Sequence, residues 1–123
     1  MVITLGQVLS ILDIDEPRYS MVGKLGSEAL PHLETLVRTA EPMLASKAAF
    51  MAGLIDHDRS VSILMTAAQS KDAMVRMAAA GGCRYIRLPR INDVLNRLKN
   101  DEDIGVRNKA LKIIRLRSSI KQY

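Results

Sequence analysis

Residues 71–86 read "KDAMVRMAAAGGCRYI". The composition is that of a helix, yet three alanines and two glycines follow in succession. A helix packed on one side has no use for so many small side chains. Each glycine also costs roughly 1 kcal/mol against alanine in a helix interior. Small residues offset that cost where neighbouring helices approach closely, the ridges of one seated in the grooves of the other. Two readings follow for Gly81 and Gly82. Either they admit a close neighbour, or they open a shallow notch where a ligand or peptide could sit.

The same chemistry returns every 31 residues: "DAMVRMAAAGG" at 72–82 is echoed by "DIGVRNKALKI" at 103–113 and by "EPMLASKAAFM" at 41–51. Glu41, Asp72 and Asp103 are acidic; Leu44, Val75 and Val106 are aliphatic; Ala48, Ala79 and Ala110 are identical. The preceding segment keeps the register with Leu33, Leu64 and Leu95, then Leu36, Ala67 and Leu98. Similarity at a fixed period over several copies is the signature of a stacked repeat.

Each copy reads as two antiparallel helices. In the last, Pro89 opens the first helix, where its missing N–H costs nothing. Ile91, Val94, Leu95 and Leu98 then form a stripe at helical spacing. "NDED" at 100–103 breaks it, with Asp101 or Glu102 placed to cap the next start. Val106, Ala110, Ile113 and Ile114 face inward on the second helix. The N-terminal region reads as a degenerate first copy. Thr4 and Gln7 have capping-box spacing; Leu5, Val8, Leu9 and Leu12 form a stripe; "DIDEP" interrupts it; "RYSMVGKLG" at 18–26 is a shortened second helix. The expectation is an all-α superhelix, a solenoid forming one domain over 1–123. It has about four stacked helix pairs, at 4–26, 28–55, 59–86 and 89–117.

Composition agrees with helix-on-helix packing. With one Phe, three Tyr and no Trp, the core must come from Leu, Ile, Val, Met and Ala. The single cysteine, Cys83, cannot close an internal disulfide, which fits a reducing cytoplasm. No apolar run approaches the roughly 20 residues of a membrane span, and the opening "MVITLGQVLSILDID" lacks a basic leader. A cytoplasmic protein with no membrane partner is expected. The net charge of +5 is unevenly held: −2 over residues 1–83 and +7 over 84–123.

The pattern acidic–x–x–aliphatic–Arg–x–x–Ala, in "DAMVRMAA" and "DIGVRNKA", resembles the HEAT repeat. It is most similar to the short bacterial HEAT-like form named for phycobilin lyases. "DEPRYSMVGKLGSEALPHLETL" at 15–36 is also similar to that family, and the resemblance covers residues 15–117. It is specific for fold and unspecific for function. It implies that Asp72, Arg76, Asp103 and Arg107 form a structural ladder between adjacent repeats. Ala45 stands where the second copy should have its arginine, which breaks the ladder there and leaves Glu41 freer for surface contacts.

No catalytic residue, metal or cofactor is expected. His32 and His57 lie in different repeats, and Asp56, His57 and Asp58 are consecutive, a spacing from which ligands rarely converge. Cys83 sits among small apolar residues as an inert thiol. "GKLGS" at 23–27 lacks phosphate-loop spacing. A binding surface is the better expectation, because stacked pairs create an extended concave face lined by their second helices. The stripe assigned to it is Ser46, Phe50 and Gly53; Met77, Gly81 and Arg84; Asn108, Lys112 and Arg115. Of these, Phe50, Met77, Arg84, Asn108, Lys112 and Arg115 are the partner-binding candidates, although Phe50 could equally fill the core.

The leading expectation is a non-catalytic protein–protein interaction scaffold, its partner another protein. The alternative is nucleic-acid binding through Arg84, Arg87, Arg90, Arg97, Lys109, Lys112, Arg115 and Arg117. Stacking aromatics are scarce in that region, with only Tyr85 and Tyr123. The N-terminal helix, with Ile3, Leu5, Val8, Leu9, Ile11 and Leu12, is apolar on more than one side and could bury against a second copy as a homo-oligomer.

Overall fold

A computed structural model of the chain describes residues 2–12 and 26–121, the last three of them by backbone alone. It contains α1 (Leu5–Leu12), α2 (Leu30–Thr39), α3 (Pro42–Gly53), α4 (Asp58–Ala68), α5 (Ala73–Gly82), α6 (Ile91–Leu98) and α7 (Ile104–Lys121). Short 3-10 turns cover Gly26–Ala29 and Cys83–Tyr85. No strand occurs among the described residues. The protein is an all-α stack of helix pairs: α2 with α3, α4 with α5, and α6 with α7. "DIDEP" and all but the last residue of "RYSMVGKLG" lie outside the described residues, so three complete pairs and the helix α1 are seen.

Helix starts follow from local chemistry. Thr4 and Gln7 form a reciprocal capping box: the Thr4 amide donates to Gln7 Oε1 (2.8 Å) and the Gln7 amide to Thr4 Oγ1 (3.1 Å). Elsewhere a side chain accepts from the exposed amides of a first turn. Asp72 takes the Met74 amide at 2.8 Å, and Asp103 the Val106 amide at 3.1 Å. Glu41 takes those of Met43 and Leu44, at 2.9 and 2.7 Å. Its carboxylate is therefore committed to α3, a correction to its expected freedom for surface contacts. Pro89 lies two residues before α6, in a tight turn where its carbonyl accepts the Asn92 amide.

The repeating columns are the core. Leu33, Leu64 and Leu95 are buried, as are Leu36, Ala67 and Leu98. So are Val75, Val106 and the three alanines Ala48, Ala79 and Ala110. Large side chains fill the layer of first helices, where α2 packs on α4 and α4 on α6. Small ones fill the layer of second helices, where α3 packs on α5 and α5 on α7. The α1 residues Val8, Ile11 and Leu12 turn into the same core together with Ile3.

The two glycines divide their work. A Cβ on Gly82 would stand 2.7 Å from Leu64 Cδ2 and 3.2 Å from the Ala49 carbonyl oxygen. A Cβ on Gly53 would stand 2.0 Å from the Gly82 carbonyl oxygen. The backbones of α3 and α5 thus touch at Gly53 and Gly82, which only glycine permits. Gly53, expected on the exposed stripe, is buried by its contact with Gly82. Gly81 is different. A Cβ there would make ordinary contacts, 3.4 Å to Lys109 Cε and 3.6 Å to Phe50 Cδ1.

Candidate functional site

The second helices carry an open groove of about 320 Å³. Lys47 and Phe50 of α3, Met77, Ala78 and Gly81 of α5 and Lys109 of α7 line it. Ser46 and Met74 complete the lining. Ser46 spends its hydroxyl on the Pro42 carbonyl at 2.7 Å, so the surface it offers is largely apolar. Met74 and Met77 remain 52% and 36% exposed. Met77 reaches across to α7, its Cε so near Gly105 that a Cβ there would lie 2.9 Å away.

Of the six partner-binding candidates, the groove gathers Phe50 and Met77, with Ser46 and Gly81 from the same stripe. Asn108, Lys112 and Arg115 are exposed on α7 but do not line it. Arg84 lies half-buried in the turn after α5, its guanidinium 5.1 Å from the Tyr85 ring centroid and its Nε buried without a hydrogen-bond partner. The stripe missed Lys47, Met74, Ala78 and Lys109. Met74, Ala78 and Gly81 recur at i, i+4 and i+7, the spacing of one helix face. A stripe one position wider would have included them.

The charged residues resembling the repeat ladder form a different linkage. Arg76 forks onto Asp101, Nε to Oδ2 at 2.8 Å and Nη2 to Oδ1 at 3.2 Å. Its Nη1 donates to the carbonyls of Ser70 (2.9 Å) and Lys71 (3.1 Å). Arg107 repeats the second half, Nη1 donating to the carbonyls of Asp101 (2.7 Å) and Glu102 (3.1 Å). Asp72 and Asp103 spend their carboxylates as helix caps. The Arg76 and Asp101 side chains are only 11% and 9% exposed. Burial alone would push the Asp101 carboxyl up. The Arg76 hydrogen bond, the Asp103 amide and the charges of Arg76 and Arg107 together hold it below the usual carboxylate range.

One period earlier, Ala45 and Ser70 occupy the places of Arg76 and Asp101. Both partners of the ion pair are thus missing from the same step. A cavity of about 450 Å³ lies there, with Ala45, Ser70, Asp72 and Val75 among its walls.

The basic C-terminal third is partly engaged with the protein itself. Arg87 bonds Asp56 through its amide (3.0 Å) and its Nε (3.1 Å). Arg90 approaches Asp58 at 3.8 Å. Arg117 Nη1 donates to the carbonyls of Cys83 (3.0 Å) and Ile86, closing the end of α5. His57 caps α4, its Nδ1 accepting the Arg59 amide at 3.0 Å. His32 uses Nε2 on the Ile3 carbonyl, tying the N-terminal segment to α2. Among the described residues, no group of three His, Cys, Asp or Glu is placed to hold a metal ion. Cys83 is buried and donates to the Ala79 carbonyl at 3.2 Å. Burial pushes its thiol up to about 12, against a smaller opposing pull from the Arg117 charge.

A family model described as HEAT repeats matches residues 30–115. The span runs from the start of α2 into α7 and takes in both layers and the groove. It carries the repeat family and not the phycobilin-lyase-type subdivision. Searches of curated proteins and of solved structures found no match. With more than half of its length matched, and three successive helix pairs in a common register, the chain belongs to the HEAT-repeat family.

Proposed function

We propose that this chain is a non-catalytic protein-binding scaffold whose working surface is the groove across α3, α5 and α7. The observation that carries this reading is the exposure of Met74 and Met77 beside Phe50, on the face where the second helices meet. Methionine is flexible and polarisable, which suits a surface that must fit another side chain. HEAT repeats generally mediate protein–protein interaction. No helix among the described residues is long and apolar enough to cross a membrane. A cytoplasmic setting completes the proposal, supported by the lone thiol at Cys83.

The nucleic-acid reading rests on the charge of residues 84–123. It is weakened because Arg87, Arg90 and Arg117 already serve Asp56, Asp58 and the end of α5. Homo-oligomerisation through α1 loses much of its motive, since Ile3, Val8, Ile11 and Leu12 are buried within the chain.

The test is affinity capture from lysate of the source organism with the wild-type chain and Met77→Glu, each with and without nuclease. A protein retained by the wild type after nuclease, and lost on Met77→Glu, supports the reading. Material lost on nuclease treatment alone would favour nucleic acid. A partner held equally by both chains would place the working surface elsewhere.

A further inference from the structure

We infer that Arg107 receives a carboxylate from an acidic segment of a partner protein, on the outer face of α7 and apart from the groove. Arg76 is the template. It lays Nη1 on two carbonyls of the loop before its own helix, those of Ser70 and Lys71. It turns its Nε and Nη2 edge to Asp101, in the loop before α7. Arg107 has the first half of that arrangement, with Nη1 on the carbonyls of Asp101 and Glu102. Those two bonds hold the guanidinium in place. Among the described residues, its Nε and Nη2 meet no carboxylate and no other acceptor. A guanidinium edge held this way offers two parallel N–H donors, the pattern that matches the two oxygens of a carboxylate.

The surroundings of Arg107 supply the second observation. Ile104, Arg107 and Leu111 recur at i, i+3 and i+7 and share one face of α7. Their counterparts in α5 are Ala73, Arg76 and Ala80, and there the face is closed: Ala80 is buried and Arg76 is paired. On α7, Ile104 and Leu111 remain 65% and 41% exposed. An incoming segment thus finds apolar contact on both sides of the guanidinium. The first-helix layer limits its width. Val61 and Met65 of α4 border α6, and their counterparts in α6 are the exposed Asn92 and Asn96. The apolar strip is therefore confined to α7, which suits a single segment rather than a second copy docked through both layers. Carboxylates of the chain also lie near. Asp101 is paired with Arg76 and Asp103 caps the Val106 amide. The exposed Glu102 is left to oppose an acidic ligand.

The experiment is a display selection of random peptides on the full chain, followed by affinity measurement of the enriched peptides on variants. The expected peptides carry Asp or Glu close to a Leu, Ile or Met. Arg107→Gln lowers their affinity about tenfold or more, the scale of a hydrogen bond between charged groups. Leu111→Asp lowers it too, and Glu102→Gln raises it roughly twofold, the scale of an exposed charge pair. Met74→Glu, in the groove, leaves it unchanged. In NMR spectra of the complex, the Arg107 Nε–H becomes protected from exchange with water. Circular dichroism checks that each variant keeps the fold. Peptides without an acidic excess, no enrichment at all, affinity indifferent to Arg107→Gln, or affinity lowered by Glu102→Gln would overturn the inference. Enriched peptides that depend on Met74 and not on Arg107 would remove it and leave the scaffold reading of the groove standing.

Discussion

Gly81 and Gly82 are adjacent and face different neighbours, so the same substitution should have opposite effects at the two sites. Alanine at 81 meets only ordinary contacts and gains helix propensity. Gly81→Ala should raise stability by about 0.5–1 kcal/mol. Alanine at 82 must displace Leu64 and the Ala49 carbonyl, and overpacking of that kind costs about 1–3 kcal/mol. Urea unfolding of the two variants checks the pair, and equal shifts would contradict the geometry. Cys83 gives a second residue-scale prediction. Its folded thiol titrates near 12 against about 8.5 in an unfolded chain. The neutral form is thus the one the fold favours. The associated stability is fully present below the unfolded value and is lost as pH rises from there toward the folded one. At pH 8 a thiol reagent should label Cys83 only through opening of the chain, at a rate that rises steeply with urea. Fast labelling of the native protein would show that the thiol is not buried.

At the scale of elements, most of the architecture was legible because the 31-residue columns are core positions. Ala48, Ala79 and Ala110 are buried in equivalent places, and any larger residue would spoil the spacing of α3, α5 and α7. The arginine linkage was harder to read. Asp72 and Asp103 are the partners that the repeat pattern implies for the arginines, but helix starts compete for short carboxylates, and those two are used as caps. Asp101, two residues before a cap and outside the column considered, takes the fork of Arg76 instead. The contact between Gly53 and Gly82 was not legible either, since it spans 29 residues rather than the period and depends on where α3 ends. The missing link between the second and third copies makes a prediction about elements. Ala45→Arg should lay a guanidinium into the cavity, with the Thr39 and Ala40 carbonyls in the places that Ser70 and Lys71 offer Arg76. Ser70→Asp should then provide its carboxylate. The double variant should be more stable than the sum of the two single changes by about 0.5–3 kcal/mol, the range for directly contacting residues. Strict additivity in a double-mutant cycle would mean that the two copies do not share the register described.

For the whole molecule, the question is what makes the helix pairs unfold together. In a stacked repeat, stability is roughly the sum of each unit and its contacts with its neighbours. The step from α4 and α5 to α6 and α7 has a largely buried polar link, Arg76 to Asp101. The step from α2 and α3 to α4 and α5 has the more exposed pair of Arg59 and Glu34, at 2.9 Å, and a backbone contact at Gly53 and Gly82. Close backbone contact therefore adds at one joint what the more buried ion pair adds at the next. If so, the wild type should unfold in one cooperative urea transition, coincident by circular dichroism and by hydrogen exchange. Gly53→Ala forces the α3 and α5 backbones apart, because the Gly82 carbonyl cannot yield as a side-chain tip can. It should split the transition, with amides of α2 and α3 exchanging at lower urea than those of α4 to α7. A variant that loses stability uniformly, with all amides still opening together, would show that coupling is spread over the first-helix layer, through Leu33 and Leu64, rather than concentrated at the glycine crossing.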